Sequence, residues 1–184
     1  MRAKLNEIDN DFGGSVEDAI LSLRAEGVCP EEHWKYQAWG SRVTEKPSDP
    51  AYKYALEHTV TNDTPLEVDK NSGIGSYDFD LDKLRRCLDD GYPFVFACNA
   101  FRKAAFFRDG TLEAPEEEET YSSQWMGHAL MGVGYDDKAR CFIIQNSWGH
   151  TWNDDGCFMM PYDIIAHPAV ARDFWTIREV KKEE

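Results

Sequence analysis

Apolar positions near the start of the chain recur with a helical period, and in its second half they alternate as strands do. Val16, Ala19, Ile20 and Leu23 keep helical spacing. A helix is therefore predicted from Ser15, with Asp18 as its capping-box partner and Gly27 as its stop. Residues 29–79 carry Trp34, Tyr36 and Trp39 among scattered prolines, and are expected to be mostly irregular, with one short helix over Pro50–His58. A further helix runs from Asp80 as N-cap through Leu81, Leu84 and Leu88 to Gly91. From there the pattern predicts strands at Pro93–Ala100, His128–Tyr135, Cys141–Gln145, Gly156–Met160 and Phe174–Val180. Asp136-Asp137-Lys138 makes a tight connection between the second and third of these. Helices first and an antiparallel sheet later predict an α+β domain.

Composition narrows the partners. The chain has 184 residues, of which 42% are apolar and 13% aromatic, so it reads as one globular domain. A formal charge of −14 repels phosphate backbones, and no basic cluster offsets it, so nucleic acid is excluded as a partner. The longest nearly apolar stretch, Tyr92 to Cys98, is far shorter than the ~20 residues of a membrane span, and no membrane partner is expected. Five scattered cysteines form no C-x-x-C pair, and no secretory leader follows Met1. The default expectation is thus a reducing, cytoplasmic setting. The acidic run Glu116–Glu119 reads as a solvated loop tip.

Several chemistries drop out for want of their residues. The five histidines show no metal-ligand spacing, so neither a metal nor another cofactor is expected. No phosphate-binding glycine loop and no G-x-S-x-G elbow occurs. Gly73-Ile74-Gly75 lacks the remaining glycine of a dinucleotide fingerprint. What remains is a compact pair of motifs. His128 opens an apolar strand, and Gln145-Asn146-Ser147-Trp148-Gly149 closes the next. Pairing of those strands as a hairpin would bring His128 and Asn146 together at one end of the sheet. An amide beside an imidazole fixes the ring's orientation and tautomer, which leaves the other nitrogen for proton transfer. Trp148 would shield that bond from water. Either motif alone also has a plain reading, as a satisfied strand histidine or as a turn.

Together the motifs resemble those of papain-family cysteine peptidases. Gly-His-Ala-Leu-Met-Gly-Val-Gly-Tyr at 127–135 and Gln-Asn-Ser-Trp-Gly-x-x-Trp-x-x-x-Gly at 145–156 look like that family's His and Asn motifs. Gly13-Gly14, the stretch from Gly27 to Tyr36, Leu88 to Val95, and Phe158 to Ile177 extend the likeness in the family's order, the last of them toward its bacterial and viral branches. The resemblance implies a papain-like fold, here incomplete, with an N-terminal helix and irregular segment before an antiparallel sheet or half-barrel. Residues 1–79 would be the remnant of the helical half and its connection, and 80–184 the β half. It implies His128 as general base and imidazolium, Asn146 as its orienting amide, and Trp148 with Trp152 as shield and primed-side wall. Gly13, Gly14 and Gly127 would present backbone to an extended peptide. The implied reaction is hydrolysis of peptide bonds through a thioester acyl-enzyme.

One family element has no counterpart in these residues. The family's nucleophile lies in a C-G-[SA]-C-[WY]-type motif ~130–150 residues before its histidine, a count that falls ahead of Met1. Neither Cys29, Cys87, Cys98, Cys141 nor Cys157 is followed by Trp or Tyr. The chain is therefore expected to be inactive alone. An upstream segment or a separate chain would supply the Cys helix, and the substrate would be a peptide or protein. The alternative is a pseudo-peptidase that keeps a peptide groove without chemistry. A third reading, accidental matches in an acidic domain, would have to explain likeness in six segments.

Overall fold

The computed structural model of the protein describes residues 14–36, 45–66, 80–100, 126–167 and 170–181. Gly13, Trp39, Gly73-Ile74-Gly75 and Glu116–Glu119 lie outside them. The chain divides into two compact units, one formed by Met1–Asp63 with Ile177–Glu184 and the other by Thr64–Thr176.

In the first unit, helix α1 spans Val16–Glu26. The Oγ of Ser15 accepts the amide of Asp18 at 3.0 Å, which satisfies one of the donors that a helix start leaves unpaired. Val16 and Ile20 are buried. The stop at Gly27 is steric as well as conformational: its φ is +70°, and a Cβ there would lie 1.8 Å from the carbonyl oxygen of Ala55. Helix α2 spans Asp49–Ala55, capped by Ser48, and ends three residues short of the expected His58 because the amides of Glu57 and His58 donate three residues back, to Tyr54 and Ala55, in a tightened turn. His33 stacks on Tyr54 with ring centroids 3.8 Å apart. Arg24 pairs with Asp63 at 3.4 Å.

The strands are β1 Val60–Pro65, β2 Phe94–Ala100, β3 Met126–Asp136, β4 Cys141–Gln145, β5 Cys157–Pro161 and β6 Ala171–Val180. They run in the order β1-β6-β2-β3-β4-β5. All five predicted strands are present, with β3 and β6 starting two and three residues earlier than the apolar pattern suggested. Strand β1 falls in the segment expected to be irregular. Only Val60 of its six residues is buried, so it offers no alternation to read.

In the second unit, helix α3 spans Leu81–Asp89, and Asp80 Oδ1 accepts the amides of Asp82 and Lys83. A second helix of four residues, α4 (Tyr162–Ile165), follows β5 directly. The antiparallel register sets Phe94 opposite Gly132 and Phe96 opposite Leu130, and continues through Ile144 opposite Phe158. These side chains point to one face, where they meet Leu84 and Cys87 of α3, Tyr162 and Ile165 of α4, and Phe174 of β6. Phe96 and Phe174 stack at 5.0 Å, and Phe94 meets Phe142 edge-on at 5.7 Å. This core fixes the β3–β4 hairpin, whose open end carries the residues of interest.

Candidate active site

The hairpin register carries the two motifs to one place. Met131 pairs with Gln145, so His128 lies a few residues before the last pair of β3 and Asn146 just past the end of β4. The imidazole Nε2 of His128 and Oδ1 of Asn146 are 2.9 Å apart. That same Oδ1 accepts the amide N–H of Ser147 at 2.8 Å. A backbone N–H can only donate, so this second bond identifies the atom as the amide oxygen. It follows that Nε2 carries the proton and donates, which leaves Nδ1 of the neutral ring as a base.

The amide is held firmly. Asn146 is 8% exposed, and its own N–H donates to the carbonyl of Gly156 at 2.9 Å. The loop between them is closed by Trp152 N to Gly149 O and Gly156 N to Trp152 O. Gly156 has a φ of +79°, and a Cβ there would come within 3.0 Å of the Gly149 carbonyl oxygen. Asn153 has a φ of +48°, a region that asparagine tolerates better than most residues. Its Nδ2 also donates to the carbonyl of Cys157.

Trp148 lies 5.3 Å from the His128 ring, centroid to centroid, and meets Trp152 edge-on at 5.1 Å. Trp152 in turn packs on Phe158 at 6.0 Å. Trp148 is 57% exposed, so it covers the imidazole from one side while remaining at the surface. Gly127 is exposed, with nothing within 4 Å of where a Cβ would stand. Gly14 is also exposed, immediately before the cap of α1 in the first unit.

All five cysteines are free. Cys98 stands opposite His128 in the β2–β3 register. It is buried, its Sγ lies 3.7 Å from the carbonyl of Asn99, and burial pushes its thiol up to about 12 despite the nearby Arg172. Burial raises Cys141 and Cys157 as well, helped in each case by neighbouring aspartates. A reactive thiol needs the opposite environment. Among the described residues no group of three or more His, Cys, Asp or Glu is placed to hold a metal ion, and no helix is long and apolar enough to cross a membrane.

A six-stranded antiparallel sheet preceded by helices, with an imidazole oriented by a fixed amide at the open end of one hairpin, makes this an α+β molecule of papain-like fold. A model of the papain family of cysteine proteases matches residues 7–174, and the chain belongs to that family. It is 33% identical over 178 residues to a peptidase C1-like protein of Acanthamoeba polyphaga mimivirus, a match covering 95% of this chain and 55% of that protein. Procathepsin L of Rattus norvegicus is 25% identical over 167 residues, 86% of this chain and 44% of the relative. The fold superposes on xylellain, a cysteine protease from Xylella fastidiosa, with a TM-score of 0.76 and 31% identity, covering 100% of this chain and 67% of that one. The chain thus spans about half the length of the curated relatives it matches.

Proposed function

We propose that this chain is the acid–base part of a papain-like cysteine peptidase, hydrolysing peptide bonds through a thioester. The observation that carries this reading is the bond between His128 Nε2 and Asn146 Oδ1, with the same oxygen pinned by Ser147 N–H. A thiolate held beside Nδ1 would form an ion pair with the imidazolium and attack the substrate carbonyl. The imidazolium then donates its proton to the leaving amine; the neutral imidazole that remains takes a proton from the water that cleaves the thioester, and the thiolate–imidazolium pair is restored as the acid product leaves. Trp148 limits water access to the orienting bond.

Burial holds Cys98, Cys141 and Cys157 as thiols, and no cysteine carries the family's Cys-Trp or Cys-Tyr motif, so the nucleophile comes from an upstream segment or a separate chain. The 184 residues alone are then inactive. Five free cysteines fit a reducing compartment, the cytoplasm by default. The test is peptide hydrolysis by the product of the gene together with any coding sequence upstream. Expected is activity that iodoacetamide abolishes and that His128→Ala lowers by at least about 10³-fold. Activity that survives His128→Ala would refute the assignment.

The same cysteine settings favour a second reading, a pseudo-peptidase that binds peptides without cleaving them. It predicts that an extended peptide raises the melting temperature of the 184-residue chain. No shift at saturating peptide would dismiss it.

A further inference from the structure

Four residues between β4 and β5 hold left-handed backbone. Gly149 and Gly156 have φ of +88° and +79°, and Asn153 and Asp155 have +48° and +49°. Glycine enters this region freely, whereas in other residues it costs free energy and persists only where surrounding bonds over-determine it. The bonds that do so here converge on Cys157.

Strand β5 is the last strand of the described sheet. The loop itself supplies partners for the backbone of its first residue. The N–H of Cys157 donates to the carbonyl of Asp154 at 2.9 Å, and the carbonyl of Cys157 accepts Nδ2 of Asn153. Gly156, one residue earlier, turns its carbonyl to the amide of Asn146 at 2.9 Å. Asn153 also follows Trp152, whose indole packs on Phe158 and meets Trp148 edge-on. One exposed side chain thus joins the two parts of the loop that reach the imidazole: the carbonyl that fixes Asn146 and the indole that seats Trp148. The backbone bonds of the loop, Trp152 N to Gly149 O and Gly156 N to Trp152 O, do not engage the Cys157 carbonyl.

We infer that Asn153 is a positioning residue for the His128–Asn146 pair, acting through the Gly156 carbonyl. With its tie to Cys157 broken, the loop opens locally more often. Each opening frees the Asn146 amide, and its Oδ1 then no longer holds the ring in one orientation. Only the hydrolysis readout of this inference rests on the peptidase reading.

The experiment compares the 184-residue chain with Asn153→Gly and Asn153→Asp. Glycine removes the tie and relaxes the left-handed backbone, so strain cannot cause the effect. Aspartate keeps the side chain's shape, but its ionised carboxylate cannot donate to a carbonyl. In both variants hydrogen exchange should find Asn146 N–H about threefold to tenfold less protected, with Phe96 and Leu130 of the central strands unchanged. ¹⁵N NMR should show the Nε2-protonated tautomer of His128 giving way to a mixture. A merely structural role would lower protection throughout and leave the tautomer alone. Full Asn146 protection with a single tautomer in Asn153→Gly would overturn the inference. So would an Asn153→Asp chain that behaves like the unaltered one, or equal loss of protection at Phe96 and Leu130. In the completed enzyme kcat should fall about threefold to tenfold with KM unchanged. Hydrolysis that ignores His128→Ala, alongside the NMR changes, would refute the peptidase reading and support the positioning role. Unchanged NMR with His128-dependent hydrolysis intact would do the reverse.

Discussion

The two ends of the β3–β4 hairpin put polar side chains to opposite uses. At the turn end, Asp136 Oδ1 accepts the amides of Lys138 and Ala139 and closes the connection. Asp137 accepts from Arg85 of α3 and from the buried Tyr162 of α4, each at 2.8 Å. Arg85 also bonds Asp82, and its guanidinium and that of Arg140 lie 5.6 and 5.8 Å from the Tyr162 ring. Tyr135 adds a bond to Asp89. The open end holds one imidazole through one nitrogen and covers it with a half-exposed indole. Dense mutual bonding ties two helices to the sheet at one end. Sparse, directional bonding at the other fixes an orientation and keeps a nitrogen available for chemistry.

That contrast can be broken from either end. The largest effect is expected from His128→Ala, which should remove hydrolysis by the completed enzyme while leaving thermal stability nearly unchanged, because the ring contributes no buried packing to the phenylalanine core. Phe94→Ala should do the opposite, costing about 3–5 kcal/mol of unfolding free energy in a denaturant titration. Asn146→Ala releases the ring without removing it, so kcat/KM should fall by about tenfold to a hundredfold, less than for His128→Ala. Tyr162→Phe removes one bond at the turn end and should cost about 1 kcal/mol with no change in activity. Activity falling in proportion to stability across these four variants would erase the distinction between the ends.

The turn end should also show itself in the pH dependence of stability, the smallest of the effects. Burial first, and the bond to Asp137 second, raise the Tyr162 phenol from near 10 to about 12. The folded state thus favours the neutral phenol. Its contribution is complete below pH ~10 and is lost as pH rises through about 12. Asp137 is shifted the other way, held below the usual carboxylate range by Tyr162 and then by Arg85. Its contribution is present above pH ~4 and is lost as the solution becomes more acidic. Tyr162→Phe should flatten the alkaline limb of the stability curve and Asp137→Asn the acid limb. Unchanged limbs would mean that the network is not formed in solution.

Local chemistry decided what the sequence revealed. Helices α1 and α3 were legible because Ser15 and Asp80 are caps and the apolar positions behind them keep a helical period. The central strands were legible because their core faces are dominated by Phe, Leu, Ile and Met. Strand β1 was not, since Thr61 to Pro65 present no apolar alternation and the strand owes its place to pairing beside β6. Helix α4 has four residues and no side-chain cap, too little for a pattern. The His128–Asn146 pair was foreseeable from a hairpin with a short turn. The Arg85–Asp137 bond joins residues 52 apart and leaves no signal in any one segment.

The most direct test of the oriented imidazole is a ¹⁵N NMR measurement of the His128 ring at a pH where it is neutral. The Nε2-protonated tautomer should dominate, with its proton bonded to Asn146, and Asn146→Ala should give a mixture of tautomers. A ring protonated mainly at Nδ1 in the unaltered chain would contradict the arrangement on which the proposed chemistry depends.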